Sequence, residues 1–295
     1  MKYHSTLFII ACLLASVRGK AQSAGDDRKV IVDSVHTDRF VMDYCRFGTG
    51  KKTLVILPGL SIQSIMESAG AIADAYAPLA ADYTVYVFER RRELPASYTA
   101  ADTAEDTAEA IRALGIEHVS VFGASYGGMV SMVLAVRYPE LVDKMILAST
   151  TAELSEEQYQ SIENWLRYAE EGDANALYHA FGKAVYPEAV YKQFIEAFDS
   201  AAKTVTEEEL KKFITLAEGM KGFRITDELN KVQCPVLAIG DRQDQVVFDA
   251  VEKIGQYMNK SSYYELYMYD GYGHAVYDLA PDFKERMLSF LAKDQ

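Results

Sequence analysis

Val119-Ser120-Val121-Phe122-Gly123-Ala124-Ser125-Tyr126-Gly127 is the stretch whose reading decides the fold. The apolar run 119–122 leads into Gly123-Ala124-Ser125-Tyr126-Gly127, and a helix-like segment follows as far as Tyr138. Strand, sharp turn and helix in that order, with serine at the turn, make a candidate nucleophile elbow. The turn leaves no room for side chains two positions either side of the serine, so both sites need glycine. Gly123 and Gly127 occupy them. The turn lifts the hydroxyl clear of the sheet, where the positive end of the following helix and the Tyr126 N–H can stabilise a developing oxyanion.

Outward from this point the chain alternates between strand and helix signals. Residues 30–36 and 40–47 alternate apolar and polar around Thr37-Asp38, which predicts an antiparallel hairpin at a sheet edge. Residues 53–57 are almost wholly apolar, as in a parallel strand covered on both faces. A helix is expected over 62–80, a strand over 83–88, and an acidic helix over 101–114 stopped by Gly115. Further strands are read at 119–122, 144–147, 236–239 and 263–269, with a closing helix at 282–292. The class is α/β: a doubly wound, mostly parallel eight-stranded sheet.

Residues 151–229 break the rhythm, with helical patterns at 156–169 and 207–220 and no strand signal. An insertion after a strand's carboxyl end stands over the crevice where such sheets bind ligands. The segment is therefore expected to be a helical cap on a core made of 22–150 and 230–295. Its aromatic residues, Trp165, Tyr168, Tyr178, Phe181, Tyr186, Phe194, Phe198 and Phe223, are expected mostly to pack within it, with a minority lining an apolar pocket.

A serine alone is a poor nucleophile near neutral pH, so it needs a base and a group to orient that base. Asp244, in Gly240-Asp241-Arg242-Gln243-Asp244 after the strand at 236–239, can reach the crevice on a loop. Asp241 competes for the role; Asp244 is preferred because Asp241 sits at the strand exit, where turn hydrogen bonds are expected. His274, in Asp270-Gly271-Tyr272-Gly273-His274 beyond the last strand, is the candidate base. His36, His118 and His179 are placed less well for that role. After the strand at 53–57, Pro58 has no N–H, and Gly59 allows close backbone approach. The Leu60 N–H is thus the second candidate oxyanion donor.

The chain resembles the α/β-hydrolase fold superfamily, of the type with a helical cap between its sixth and seventh core strands. The resemblance rests on Gly123 to Gly128, Arg137-Tyr138-Pro139-Glu140-Leu141-Val142, Asp244 and Gly273-His274. It implies Ser125 as nucleophile, Asp244 as orienting acid, His274 as base, and the N–H groups of Leu60 and Tyr126 as oxyanion hole, with no cofactor. Two departures stand out: Pro58-Gly59 replaces the His-Gly of many relatives, and Glu89-Arg90-Arg91-Arg92-Glu93 replaces their Asp-x-Arg-Gly-x-Gly. The implied activity is hydrolysis of a small apolar or aromatic carboxylic ester. The same residues also suit an amide or N-terminal peptide hydrolase in which Glu163, Glu170 or Glu171 holds the substrate ammonium.

The first residues read as an export signal: Lys2, an apolar core at 7–17, and Gly19-Lys20-Ala21 as a small-x-small cleavage site near Ala21. The apolar core is too short for a permanent span, so no stable membrane insertion is expected after cleavage. Lipidation at Cys12 and an uncleaved anchor are the alternatives. Of 295 residues, Lys and Arg number 30 and Asp and Glu 43, giving a formal charge of −13; loss of Lys2, Arg18 and Lys20 makes it more negative still. So acidic a surface argues against nucleic acid as a partner, leaving a small-molecule substrate. Cys45 and Cys234 are expected as free thiols. Gly48-Thr49-Gly50-Lys51-Lys52 reads as a hairpin connection, Arg90-Arg91-Arg92 as cations paired with nearby carboxylates, and Asn259-Lys260-Ser261 as a glycosylation pattern. No metal-ligand cluster is evident in the sequence.

Overall fold

The structure is a computed structural model and describes residues 29–259 and 263–293. The segment read as an export signal, with Cys12 and Ala21, lies outside the described residues, as do Lys260 and Ser261.

Eight strands form one sheet: β1 (Ile31–His36), β2 (Val41–Phe47), β3 (Lys52–Leu57), β4 (Tyr83–Arg91), β5 (Val119–Ala124), β6 (Val142–Ala148), β7 (Val236–Asp241) and β8 (Tyr264–Tyr269). Their order is β1-β2-β4-β3-β5-β6-β7-β8. The β1–β2 and β2–β4 pairs are antiparallel, and every pair from β4 to β8 is parallel. This is the doubly wound sheet that the alternation of signals predicts. Segment 48–51 corrects one expectation: it links β2 to β3, which do not pair because β4 lies between them.

Helices cover both faces. Along β3 the side chains alternate, so Leu54 and Ile56 enter one apolar cluster while Val55 and Leu57 enter the other. On the first face lie α1 (Ala69–Ala75) and, at the carboxyl end, α11 (Phe283–Leu291); on the second lie α2 (Ala100–Ala113), α3 (Tyr126–Arg137) and α9 (Ala250–Lys253). Helix α2 opens with a capping box, Thr99 and Asp102 each satisfying the other's backbone N–H. The single helix expected over 62–80 is instead two 3-10 turns, Ile65–Ser68 and Ala77–Leu79, flanking α1. Pro78 within the second turn cannot donate the N–H that a continued α-helix needs. Strand β4 runs further than expected, through Arg90 and Arg91, because Met42 pairs with Arg91 across the antiparallel edge.

Between β6 and β7 come α4 (Glu156–Glu170), α5 (Ala174–Val185), α6 (Glu188–Tyr191), α7 (Ile195–Ala202) and α8 (Glu207–Glu218). Many of their aromatic rings pack on each other: Trp165 on Phe181 with centroids 4.7 Å apart, and Phe198 among Tyr178, Tyr186 and Tyr191. Short helix α10 (Val276–Leu279) follows the last strand. Cys45 and Cys234 are buried, and neither forms a disulfide among the described residues.

Lys144 shows how a charged group is accommodated in this core. It projects from β6 with 9% of its surface exposed and donates from Nζ to the carbonyls of Leu291 at 2.8 Å and Lys293, at the end of α11. Those carbonyls have no intrahelical partner, so the ammonium caps them and opposes the negative end of the helix dipole. Lys144→Met is expected to lower unfolding free energy by about 1–3 kcal/mol, measured by urea denaturation, and to leave turnover per folded molecule unchanged.

Candidate active site

Ser125 sits between β5 and α3 with φ +52° and ψ −119°, outside the ordinary helical and strand regions. Close packing maintains this backbone. A Cβ on Gly127 would lie 1.9 Å from the Leu57 carbonyl oxygen, and one on Gly123 would lie 2.3 Å from the Gly127 carbonyl oxygen. The Ser125 N–H donates to the Ala148 carbonyl at 2.9 Å, and Thr150 Oγ1 donates to the Ser125 carbonyl at 2.7 Å. The neighbouring strand β6 and the loop after it thereby grip the turn.

His274 lies on a 3-10 turn, Gly273–Ala275, and is only 3% exposed. Its Nε2 is 2.9 Å from Ser125 Oγ, and its Nδ1 is 2.9 and 3.1 Å from the two oxygens of Asp244. An ionised carboxylate only accepts, so Nδ1 carries the proton, and Nε2 of the neutral ring accepts from the serine hydroxyl. Asp244 Oδ1 is itself held by the N–H groups of Val246 at 2.8 Å and Val247 at 3.0 Å.

Asp241 is placed differently. Its carboxylate accepts from the Gln243 N–H at 2.8 Å and from the Tyr272 N–H at 2.9 Å. It therefore ties the exit of β7 to the loop that carries His274, whereas Asp244 touches the imidazole. His36 is exposed on β1. His118 is 61% exposed beside Asp143, and His179 bonds Tyr191 and Asp199 within the β6–β7 insertion.

Leu60 is buried just after Pro58-Gly59, and Gly59 faces the serine: a Cβ there would lie 3.2 Å from Ser125 Cβ and 3.9 Å from Oγ. Tyr126 opens α3, so its N–H is one of those with no intrahelical acceptor. The Tyr126 ring is buried, its hydroxyl is 2.7 Å from Thr103 Oγ1, and burial pushes its pKa up to about 12. The phenol thus stays neutral across ordinary pH.

The arginine run divides. Arg92 pairs with Asp43 at 2.7 Å and Arg91 lies 3.6 Å from Asp106. Arg90 lies 3.8 Å from Glu89, as the expected carboxylate pairing has it, but its hydrogen bonds go elsewhere: its Nη2 donates to the carbonyls of Pro58 at 2.9 Å and Gly59 at 2.8 Å. Sequence reading missed this contact. The burial pattern of β4 shifts phase at Val87-Phe88, both buried, so simple alternation from Tyr83, Val85 and Val87 does not mark residue 90 as buried.

The inserted helices are tied to both loops that carry these residues. Tyr178 donates to Gln63 Oε1 at 2.7 Å, three positions beyond Leu60, and Gln158 Nε2 donates to the Val247 carbonyl at 2.7 Å, three beyond Asp244. Helix α5 also packs against the His274 turn.

The family model described as alpha/beta hydrolase fold matches residues 78–281. The chain belongs to the α/β hydrolase fold family. Serine hydrolase BPHL of Mus musculus is 28% identical over 231 residues, covering 74% of this chain and 70% of that protein. A protein of Agrobacterium fabrum, provisionally named carbamate hydrolase RutD, is 24% identical over 203 residues, covering 68% of this chain and 77% of its own. An α/β hydrolase enzyme from a Medee basin deep-sea metagenome library superposes with a TM-score of 0.79 at 20% identity, covering 89% of this chain and 98% of that one. That structural likeness speaks for the fold alone.

Within this α/β hydrolase the serine turn has no slack. Gly127→Ala forces Leu57 and the turn apart, since both clashing partners are backbone. It is expected to cost about 1–3 kcal/mol or more of stability and to abolish turnover, read as a lowered urea midpoint together with an ester assay.

Proposed function

We propose that this α/β hydrolase is an exported, cofactor-independent serine hydrolase that cleaves a small apolar or aromatic carboxylic ester through an acyl-enzyme. One observation carries the reading: Ser125 Oγ, His274 and Asp244 form a continuous hydrogen-bonded chain with contacts of 2.9 Å. His274 takes the hydroxyl proton as Ser125 attacks the ester carbonyl, and Asp244 holds the ring and balances the imidazolium. The negative charge formed on the carbonyl oxygen is met by the N–H groups of Leu60 and Tyr126. Collapse expels the alcohol, which takes the proton from His274; water then repeats the sequence on the acyl group. Residues 151–229 serve as the cap over the crevice, and the segment ending near Ala21 directs export.

An ester is favoured over an N-terminal peptide by the acids of the insertion. Glu163, Glu170 and Glu171 are exposed, with Glu163 beside Lys221 and Glu171 beside Arg167. None of the three sits as a buried anchor for a substrate ammonium. A panel of short acyl and aryl esters beside amino-acid anilides is expected to show faster turnover of esters; faster turnover of the anilides reverses the assignment.

A fluorophosphonate probe is expected to label the wild type and to spare Ser125→Ala, with mass spectrometry placing the adduct on Ser125. Absence of labelling at any pH favours a binding protein that keeps the fold without the chemistry. His274→Ala is expected to keep its fold by circular dichroism and to lose activity on the order of 10⁴-fold.

A further inference from the structure

We infer that Arg90 is a positioning residue for both halves of the oxyanion hole, through its bonds to the Gly59–Leu60 peptide and its place over the Tyr126 ring. The inference rests on the proposed roles of the Leu60 and Tyr126 N–H groups. Arg90 is 7% exposed, at the carboxyl end of β4. The Gly59 carbonyl that it binds at 2.8 Å and the Leu60 N–H belong to one planar trans peptide and point in opposite directions. Fixing the oxygen therefore fixes where the N–H points. A second bond, to the Pro58 carbonyl at 2.9 Å, pins the preceding peptide and leaves the turn little freedom to rotate.

The same guanidinium reaches the other donor's residue. Its carbon lies 5.2 Å from the centroid of the Tyr126 ring, a cation–π distance. Tyr126 is thereby held from one side by Arg90 and from its hydroxyl by Thr103.

Among the described residues the charge has one ion-pair partner, Glu89. Glu89 Oε1 is 3.8 Å from Arg90 Nη1, beyond hydrogen-bond reach. The Glu89 carboxylate accepts hydrogen bonds from the Ser64 hydroxyl and the Ile65 N–H on Oε2 and from the Arg90 backbone N–H on Oε1. Arg90 Nη1 is buried with no hydrogen-bond partner among the described residues. The cation's short contacts are thus to the two carbonyls. A charged donor on a carbonyl polarises the whole amide and makes its N–H a stronger donor on the far side. Arg90 acts on the oxyanion at one remove, by aim and by polarisation, and touches no reacting atom.

Arg90→Met, Arg90→Gln and Arg90→Lys separate these effects when kcat, KM, melting temperature and the affinity of a boronic acid are measured on each. The boronic acid forms a tetrahedral anion on the serine, and a fluorophosphonate titration supplies the concentration of competent sites. Removing one direct oxyanion donor costs roughly 10²–10³ in kcat. Removing the residue that aims one is expected to cost about 10- to 100-fold, on the same scale. Arg90→Met should lower kcat per titrated site by that amount and weaken the boronic acid by a matching factor, with KM within about twofold. Arg90→Lys should recover most of the loss and Arg90→Gln part of it; these two variants decide the matter if Arg90→Met does not fold. Unchanged kcat per titrated site, or a loss confined to KM with boronic acid affinity intact, overturns the proposal. A wild type that takes no phosphonate on Ser125 overturns the hydrolase reading and this inference together, whereas an active, Ser125-labelled wild type with unimpaired Arg90 variants overturns this inference alone.

Discussion

The hydrogen bond between Ser125 Oγ and His274 Nε2 joins residues 149 positions apart, and the rest of the molecule is organised around that contact. Neither partner has any local reason to approach the other. The contact exists because β5, β6, β7 and β8 are parallel neighbours, so the segments leaving their carboxyl ends rise on the same side of the sheet. Ser125 leaves β5, Asp244 follows β7 and His274 follows β8.

Holding that arrangement carries local costs. A non-glycine residue at positive φ is strained by roughly 1–3 kcal/mol, and Ser125 is one such residue. The cost is met by neighbours that leave the backbone no alternative: Leu57 against Gly127, and Ala148 and Thr150 on the serine's own backbone. The same logic extends outward. Pro58 and Gly59 lie under Arg90, and inserted helices bond to Gln63 and Val247. The site is thus rigid at its centre and bonded to the inserted helices through Gln63 and Val247.

Much of this was legible in the sequence, for physical reasons that differ between elements. Strands such as 53–57 and 119–122 announce themselves because a strand buried on both faces must be apolar throughout. The serine turn is legible because only glycine fits at 123 and 127. Other features were hidden. A charged run at 89–92 obscured the end of β4, since hydrophobic pattern cannot report a strand whose last residues are paired arginines. The helix expected over 62–80 stops short of its expected end at Pro78, which lacks the N–H that continuing α1 needs. The link at 48–51 was misread because local sequence does not reveal that β4 comes to lie between β2 and β3. The second set of Arg90 contacts was hidden for a related reason: beside its ion pair with Glu89 it bonds backbone carbonyls, which carry no signature in sequence.

The most direct test of this account is a crystal structure of the protein phosphonylated by a small alkyl fluorophosphonate. The account predicts phosphorus on Ser125 Oγ, with the phosphonyl oxygen within hydrogen-bond reach of both the Leu60 and Tyr126 N–H groups, ~2.7–3.1 Å. His274 Nε2 should remain beside Oγ. An adduct on another residue, or a phosphonyl oxygen turned away from both N–H groups, contradicts it.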